Sequence, residues 1–198
     1  MDYTLNCNGH LLDLSTPQVM GILNATPDSF YAASRTQTER DIAKRAEEIL
    51  QQGGTIIDVG ACSTRPDSKT ATEAEEAERL RLALKTIRDV APDAIVSVDT
   101  FRPQLARMAV EEYGAAIIND VGAPVNSQDI TIESQHDMFR MVSRLRVPHI
   151  YICHVEITSR TFCSIVPRSL IRCALWDRRI SSSTLALALA RRWKRTMR

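Results

Sequence analysis

Four short apolar runs each end in an amide or a carboxylate, and this recurrence constrains the fold more than anything else in the chain. Gln18-Val-Met-Gly-Ile-Leu23 leads to Asn24, Thr55-Ile-Ile57 to Asp58, Ile95-Val-Ser-Val98 to Asp99, and Ala115-Ala-Ile-Ile118 to Asn119 and Asp120. Short apolar runs bounded by polar residues read as buried parallel strands. When such strands alternate with helices, ligands bind at their C-terminal ends. A single Asp after a strand is ordinarily a turn former or helix cap. Four such positions in successive units make that explanation weaker.

The segments between the runs carry helix signals. Thr38 with Asp41 resembles a capping box, and Ile42, Ala46, Ile49 and Leu50 recur at helical spacing until Gly53-Gly54. Thr72 with Glu75 predicts a second cap, for a helix reaching about Asp89, and a third helix runs from Pro103 to about Glu112. A fourth near Met138–Leu145 leads to a fifth strand near His149–Cys153. Upstream, residues 3–13 alternate around Asn8-Gly9, a strong hairpin signal, and predict a small N-terminal ribbon. Strand and helix alternating without hairpins after residue 18 means an α/β fold with a parallel sheet.

The length suits one domain, and 44% hydrophobic residues suffice for a core. No stretch is long and apolar enough to span a bilayer, and no secretory signal opens the sequence. Cys7, Cys62, Cys153, Cys163 and Cys173 show no paired metal-ligand spacing, a pattern that suits a reducing cytoplasm. The net charge of +1 conceals a break: 12 Lys+Arg face 22 Asp+Glu through Phe139, then 13 face 2. Periodicity fails at about the same place. Residues 156–198 show no convincing alternation, and they end in a Leu-Ala repeat and the basic run Arg191-Arg-Trp-Lys-Arg-Thr-Met-Arg198. Read by themselves, these are a solvated basic helix or a nucleic-acid or membrane-surface tail. Aromatics for base stacking are scarce there, Trp193 being the main candidate.

The strand ends carry the candidate chemistry. Asn24 opens a loop with Thr26, Asp28 and Ser29, and its amide oxygen is a hard neutral ligand suited to Mg²⁺ beside a phosphate, or a turn cap before Pro27. Ser63-Thr64-Arg65-Pro66 offers two hydroxyls and a guanidinium for an anion, or is a surface loop. Asp99 and Asn119 could read a heterocycle displaying alternating donors and acceptors, since a carboxylate accepts twice and an amide gives and takes. Their ordinary roles would be a helix N-cap and a turn. Arg102 could contact a ligand or cover the rim, and His154 ends the fifth strand.

In combination and order these segments resemble one family. Val19-Met-Gly-Ile-Leu-Asn-Ala-Thr-Pro-Asp-Ser-Phe30 looks like the first signature of dihydropteroate synthases, and Ile56-Ile-Asp-Val-Gly60 with Ser63-Thr-Arg-Pro66 like the second. Val96-Ser-Val-Asp-Thr100 and Ala116-Ile-Ile-Asn-Asp120 match the next two strand ends. The likeness covers about residues 15–121, with a weaker match from 137 to about 155. Ala25 replaces a usual Val, and Cys62 and Asp67 also depart from the family pattern.

The resemblance implies a TIM barrel, here an incomplete (β/α)8 barrel of about five parallel strands with a short N-terminal β-ribbon and an irregular basic tail. It implies condensation of 6-hydroxymethyl-7,8-dihydropterin diphosphate with p-aminobenzoate in folate biosynthesis. Asn24 would meet Mg²⁺ and the diphosphate. Ser63, Thr64 and Arg65 would meet the diphosphate or the aminobenzoate. Asp99 and Asn119 would read the pterin, with Asp58 supporting that pocket. Full-length members are often homodimers, and the expected location is cytoplasmic, with no membrane or nucleic-acid partner. A pterin-binding methyltransferase would share the Asp and Asn, but the Thr-Pro-Asp-Ser-Phe and Ser-Thr-Arg-Pro loops favour the synthase.

The family's later Asp-Pro-Gly-Phe-Gly-Phe-Gly-Lys, Ser-Arg-Lys and Arg-x-His segments are absent. Suitable codons for Ile180–Arg198, read one base out of frame, give Asp-Ile-Ile-Ile-Asp-Pro-Gly-Phe-Gly-Phe-Gly-Lys-Thr-Met-Glu-Glu-Asn-Asn-Ala. The expectation is therefore a partial pterin-binding domain over 1–155, followed by a frameshifted, non-native or disordered tail over 156–198. The irregular stretch Val121–His136 would be a second disturbed segment. A chain truncated in this way is expected to be inactive.

Overall fold

The structure is a computed structural model that describes residues 4–26, 39–63, 70–120 and 132–151. It opens with an antiparallel hairpin of β1 (Thr4–Cys7) and β2 (His10–Asp13). Asn8 and Gly9 both have positive φ, 54° and 95°, the turn geometry that Asn-Gly favours. Then come β3 (Met20–Asn24), α1 (Glu39–Gln51), β4 (Ile56–Gly60), α2 (Glu73–Val90), β5 (Ile95–Asp99), α3 (Pro103–Tyr113), β6 (Ile117–Asp120), α4 (Ile132–Leu145) and β7 (His149–Tyr151). Strands β3 to β7 form one parallel sheet in sequential order, the arrangement of an incomplete (β/α)8 barrel.

Sequence capping explains where the helices begin and end. The Thr72 backbone N–H donates to Glu75 Oε2 at 2.8 Å, and Glu75 N donates to Thr72 Oγ1 at 3.3 Å, so the predicted box starts α2. The cap expected at Thr38 lies outside the described residues. Helix α3 has Pro103 in its first turn and ends at Gly114, whose φ of 66° would strain any other residue. At Gly21 a Cβ would come within 2.4 Å of Ile49 Cγ2, so the bare backbone lets α1 pack directly on β3.

The two faces of the sheet follow from residue parity. Leu23, Ile57, Val59, Val96, Val98 and Ile118 point to the helices and join Ile42, Leu80, Leu84 and Ile87 in the main core. Burying each such side chain contributes about 1.5–3 kcal/mol. Residues of the opposite parity face away from the helices. A second apolar cluster joins Cys7, Leu12 and Leu5 of the hairpin to Ile56 and Ile95 at the lower end of that face and extends to Ile117 and Ile150.

Three boundaries differ from expectation. Strand β4, expected over 55–59, runs from Ile56 to Gly60, with Asp58 mid-strand. Strand β6 starts two residues after Ala115 and includes Asn119 and Asp120, which are not a turn. Helix α4 starts at Ile132 rather than near Met138, so residues 132–136 of the stretch read as irregular are helical.

Candidate functional site

Strand register builds the site. Asn24 pairs with Gly60, Gly60 with Asp99, Asp99 with Asn119, and Asn119 with Ile150. These residues form one row across the C-terminal rim, on the face turned from the helices. The row beneath holds Ile22, Asp58, Ser97 and Ile117, and beneath that come Met20, Ile56 and Ile95. Polarity thus rises from the hairpin end to the rim.

Asp58 links two rows. Its Oδ2 accepts a hydrogen bond from Asn119 Nδ2 at 3.0 Å, two strands away, passing the small Ser97 on β5. Among the described residues, neither Asp58 Oδ1 nor Ser97 Oγ has a well-aligned hydrogen-bond partner, although both are buried. Burial pushes the Asp58 carboxyl above its ordinary range, opposed by the Ser97 hydroxyl and the Asn119 amide. Buried polar atoms without aligned partners are costly to the fold.

A second buried cluster lies beside the row and is fully paired. Glu76 on α2 is 0% exposed. Its Oε1 accepts from Thr100 Oγ1 at 2.7 Å, and its Oε2 pairs with the Arg102 guanidinium. Arg102 Nη2 also donates to Ala71 O at 2.7 Å, and its guanidinium lies 4.8 Å from the Phe101 ring centroid. Arg102 therefore ties the loop after β4 to the loop after β5. Burial raises the Glu76 carboxyl, with Thr100 and Arg102 opposing. A cavity of about 490 Å³ opens on this rim, lined by Thr70, Ala71, Thr72, Phe101, Arg102 and Pro103. A larger surface groove, about 630 Å³, runs between α2 and α3 along Glu73, Ala77, Arg81, Leu105 and Met108, away from the row.

The structure brings together four of the seven expected site residues: Asn24, Asp58, Asp99 and Asn119. Ser63 is half-buried just past β4. Thr64 and Arg65 lie outside the described residues, as does His154. Asp99 does not cap α3, because Arg102 occupies that position. Asp120 leaves the row: it pairs with His149 Nε2 at 3.7 Å, on the side where His149 and Tyr151 meet Phe139. Glu76 and Ser97 were missed. The available signals were that Glu76 shares a helical face with Leu80, Ala83 and Ile87, and that Ser97 shares strand parity with Asp99.

The profile of a family described as "Pterin binding enzyme" matches residues 20–165. The dihydropteroate synthase of Escherichia coli is 41% identical over 117 residues, covering 59% of this chain and 41% of its own length. That of Haemophilus influenzae is 39% identical over 119 residues, 60% of this chain and 42% of its own. Among solved structures, Yersinia pestis dihydropteroate synthase with a sulfonamide drug complex superposes with a TM-score of 0.62 at 28% identity, covering 79% of this chain and 56% of that one. The Xanthomonas albilineans dihydropteroate synthase in complex with 7,8-dihydropteroate gives 0.54 at 31% identity, covering 77% and 53%. The chain spans about half the length of the solved chains it matches and less of the curated relatives.

Proposed function

The chain belongs to the family of pterin binding enzymes, and from that premise we propose that it serves dihydropteroate synthesis, supplying the pterin- and diphosphate-binding part of the site. The reaction joins 6-hydroxymethyl-7,8-dihydropterin diphosphate to p-aminobenzoate and releases diphosphate. The observation that carries this reading is the row Asn24–Gly60–Asp99–Asn119 with Asp58 beneath it, bonded to Asn119.

The ring's amidine-like edge would donate to Asp99 and Asp58, and the Asn119 amide would both give and take. Asp58 and Asn119 already hold each other in place, so the pair is preorganised and little entropy is lost on binding. The Glu76–Arg102 clamp would fix the anion-binding loop relative to the ring-reading strand. Departure of diphosphate leaves positive charge on the linking methylene. The aniline nitrogen then forms the new C–N bond and gives up its proton.

The donor set suits a metal that arrives with its anion. Among the described residues no group of three or more His, Cys, Asp or Glu could hold a cation. Asn24 offers one neutral hard oxygen, which fits Mg²⁺ completed by diphosphate oxygens and water. Bound there, Mg²⁺ would neutralise charge on the leaving group. No described helix is long and apolar enough to cross a membrane. A cytoplasmic location and homodimeric assembly, as in full-length family members, belong to the same proposal.

Titration calorimetry tests it. Mg²⁺ alone should bind weakly, diphosphate should raise its apparent affinity, and Asn24→Ala should blunt that coupling. Tight Mg²⁺ binding to the chain alone, or no coupling in the folded protein, would contradict the assignment.

A further inference from the structure

We infer that Ser97 is a positioning residue, whose small side chain leaves a passage across β5 through which Asp58 bonds to Asn119 and holds the Asn119 amide in one orientation for the ligand. The inference rests on the function proposed above and deepens it with a residue that acts through another. Asp58 and Asn119 are not cross-strand neighbours. Asp58 is paired with Ser97 and Asn119 with Asp99, so a whole strand and two residues of register separate them. Two strand spacings set their backbones about 10 Å apart. Their side chains nevertheless meet, Asn119 Nδ2 donating to Asp58 Oδ2 at 3.0 Å. That bond crosses β5 between Ser97 and Asp99, the two residues of β5 on the same face. Ser97 is 0% exposed and lies against the Asp58 carboxyl.

A carboxylate accepts hydrogen bonds and does not donate them, so the nitrogen of the Asn119 amide, not its oxygen, must face Asp58. The amide then offers its oxygen and its one remaining N–H in a fixed order. A ligand meets a side chain that is already ordered and has less freedom to lose on binding. Among the described residues the Ser97 hydroxyl has no well-aligned partner. The arrangement therefore depends on the size of this side chain more than on its hydrogen bonding. Valine suits a strand, but its two methyl groups would fill the space that the Asp58–Asn119 bond crosses and force the amide to turn away.

The test titrates 6-hydroxymethylpterin into wild type and variants by calorimetry, with circular dichroism to check folding. Ser97→Ala keeps the passage open and should lose at most about twofold in affinity, whereas Ser97→Val should lose at least about fivefold. In an Asp58→Ala background the bond is already gone, so adding Ser97→Val should cost less than about twofold further. A folded Ser97→Val that binds like wild type, an equal loss in Ser97→Ala, or an undiminished loss in the Asp58→Ala background overturns the inference while leaving the proposed function standing. A folded wild type that binds no pterin overturns both. A readout independent of the variants' folding is the Asn119 side-chain amide, observed by NMR in asparagine-labelled wild type. One of its protons should be shifted downfield and slow to exchange before ligand is added, and should stay so when the pterin binds. An Asn119 amide with two freely exchanging protons in the unliganded protein would sink the inference.

Discussion

The two ends of the sheet's helix-free face are built on opposite terms. At the hairpin end, Met20, Ile56 and Ile95 meet Leu5, Cys7 and Leu12, and the contacts are apolar and closed. At the rim, Asn24, Gly60, Asp99 and Asn119 form a polar row, and among the described residues Asp58 Oδ1 and Ser97 Oγ below them are buried without aligned partners. The same strands supply both ends, two residues apart at each step. The difference teaches that stability and recognition are divided along the strand axis, as barrels of this kind divide them.

The largest effect should come from the one rim cluster that is fully paired. Glu76→Ala leaves the Arg102 guanidinium buried without its carboxylate, and breaking such a pair costs about 3–5 kcal/mol. Urea unfolding checks this, and a loss below about 1 kcal/mol would mean that the rim contributes little to the fold. At the hairpin end, Ile56→Ala should cost about 2–5 kcal/mol and leave pterin affinity unchanged in the protein that remains folded. A selective loss of pterin binding there would blur the division between the two ends.

Asp58 should behave in the opposite sense to both. Its folded pKa is raised, so the native state keeps a proton that the unfolded chain releases. The sign follows: stability is greatest at low pH and falls as pH rises from the ordinary value of 3.8 through the raised folded one. Asp58→Asn should remove that fall, leaving a flatter urea midpoint between about pH 4 and about pH 7 and weaker pterin binding. A wild-type midpoint that rises across this window would contradict the burial argument. The smallest effect belongs to the exposed Arg107–Glu111 pair on α3, where Glu111→Ala should change stability by no more than about 0.5 kcal/mol.

Much of this division was legible in the sequence. Every strand of the parallel sheet announced itself as an apolar run, because a strand buried on both faces has little room for polar residues. The Asn-Gly hairpin and the Thr72–Glu75 cap were also readable, since both are local chemistry. Strand ends were less so: Asp58 closes the apolar run and was read with the strand-end residues, yet pairing with β3 and β5 carries β4 on to Gly60 and sets Asp58 in the row beneath the rim. Glu76 lies on the buried face of α2, but its partners, Thr100 and Arg102, are more than twenty residues away, so its pairing was not readable from the segment.

The most direct test of the central claim, that the rim row reads a pterin, is calorimetric titration of 6-hydroxymethylpterin into wild type, Asp99→Ala and Asn119→Ala. Each charge-assisted hydrogen bond removed is worth about 1.5–3 kcal/mol. The wild type should bind saturably, and Asp99→Ala should bind at least about tenfold more weakly with an unchanged circular dichroism spectrum. Asn119→Ala should also weaken binding, and its effect should not add to that of Asp58→Asn, because the two side chains are bonded to each other. Unchanged affinity in a folded Asp99→Ala variant, or no saturable binding by the folded wild type, would contradict the account.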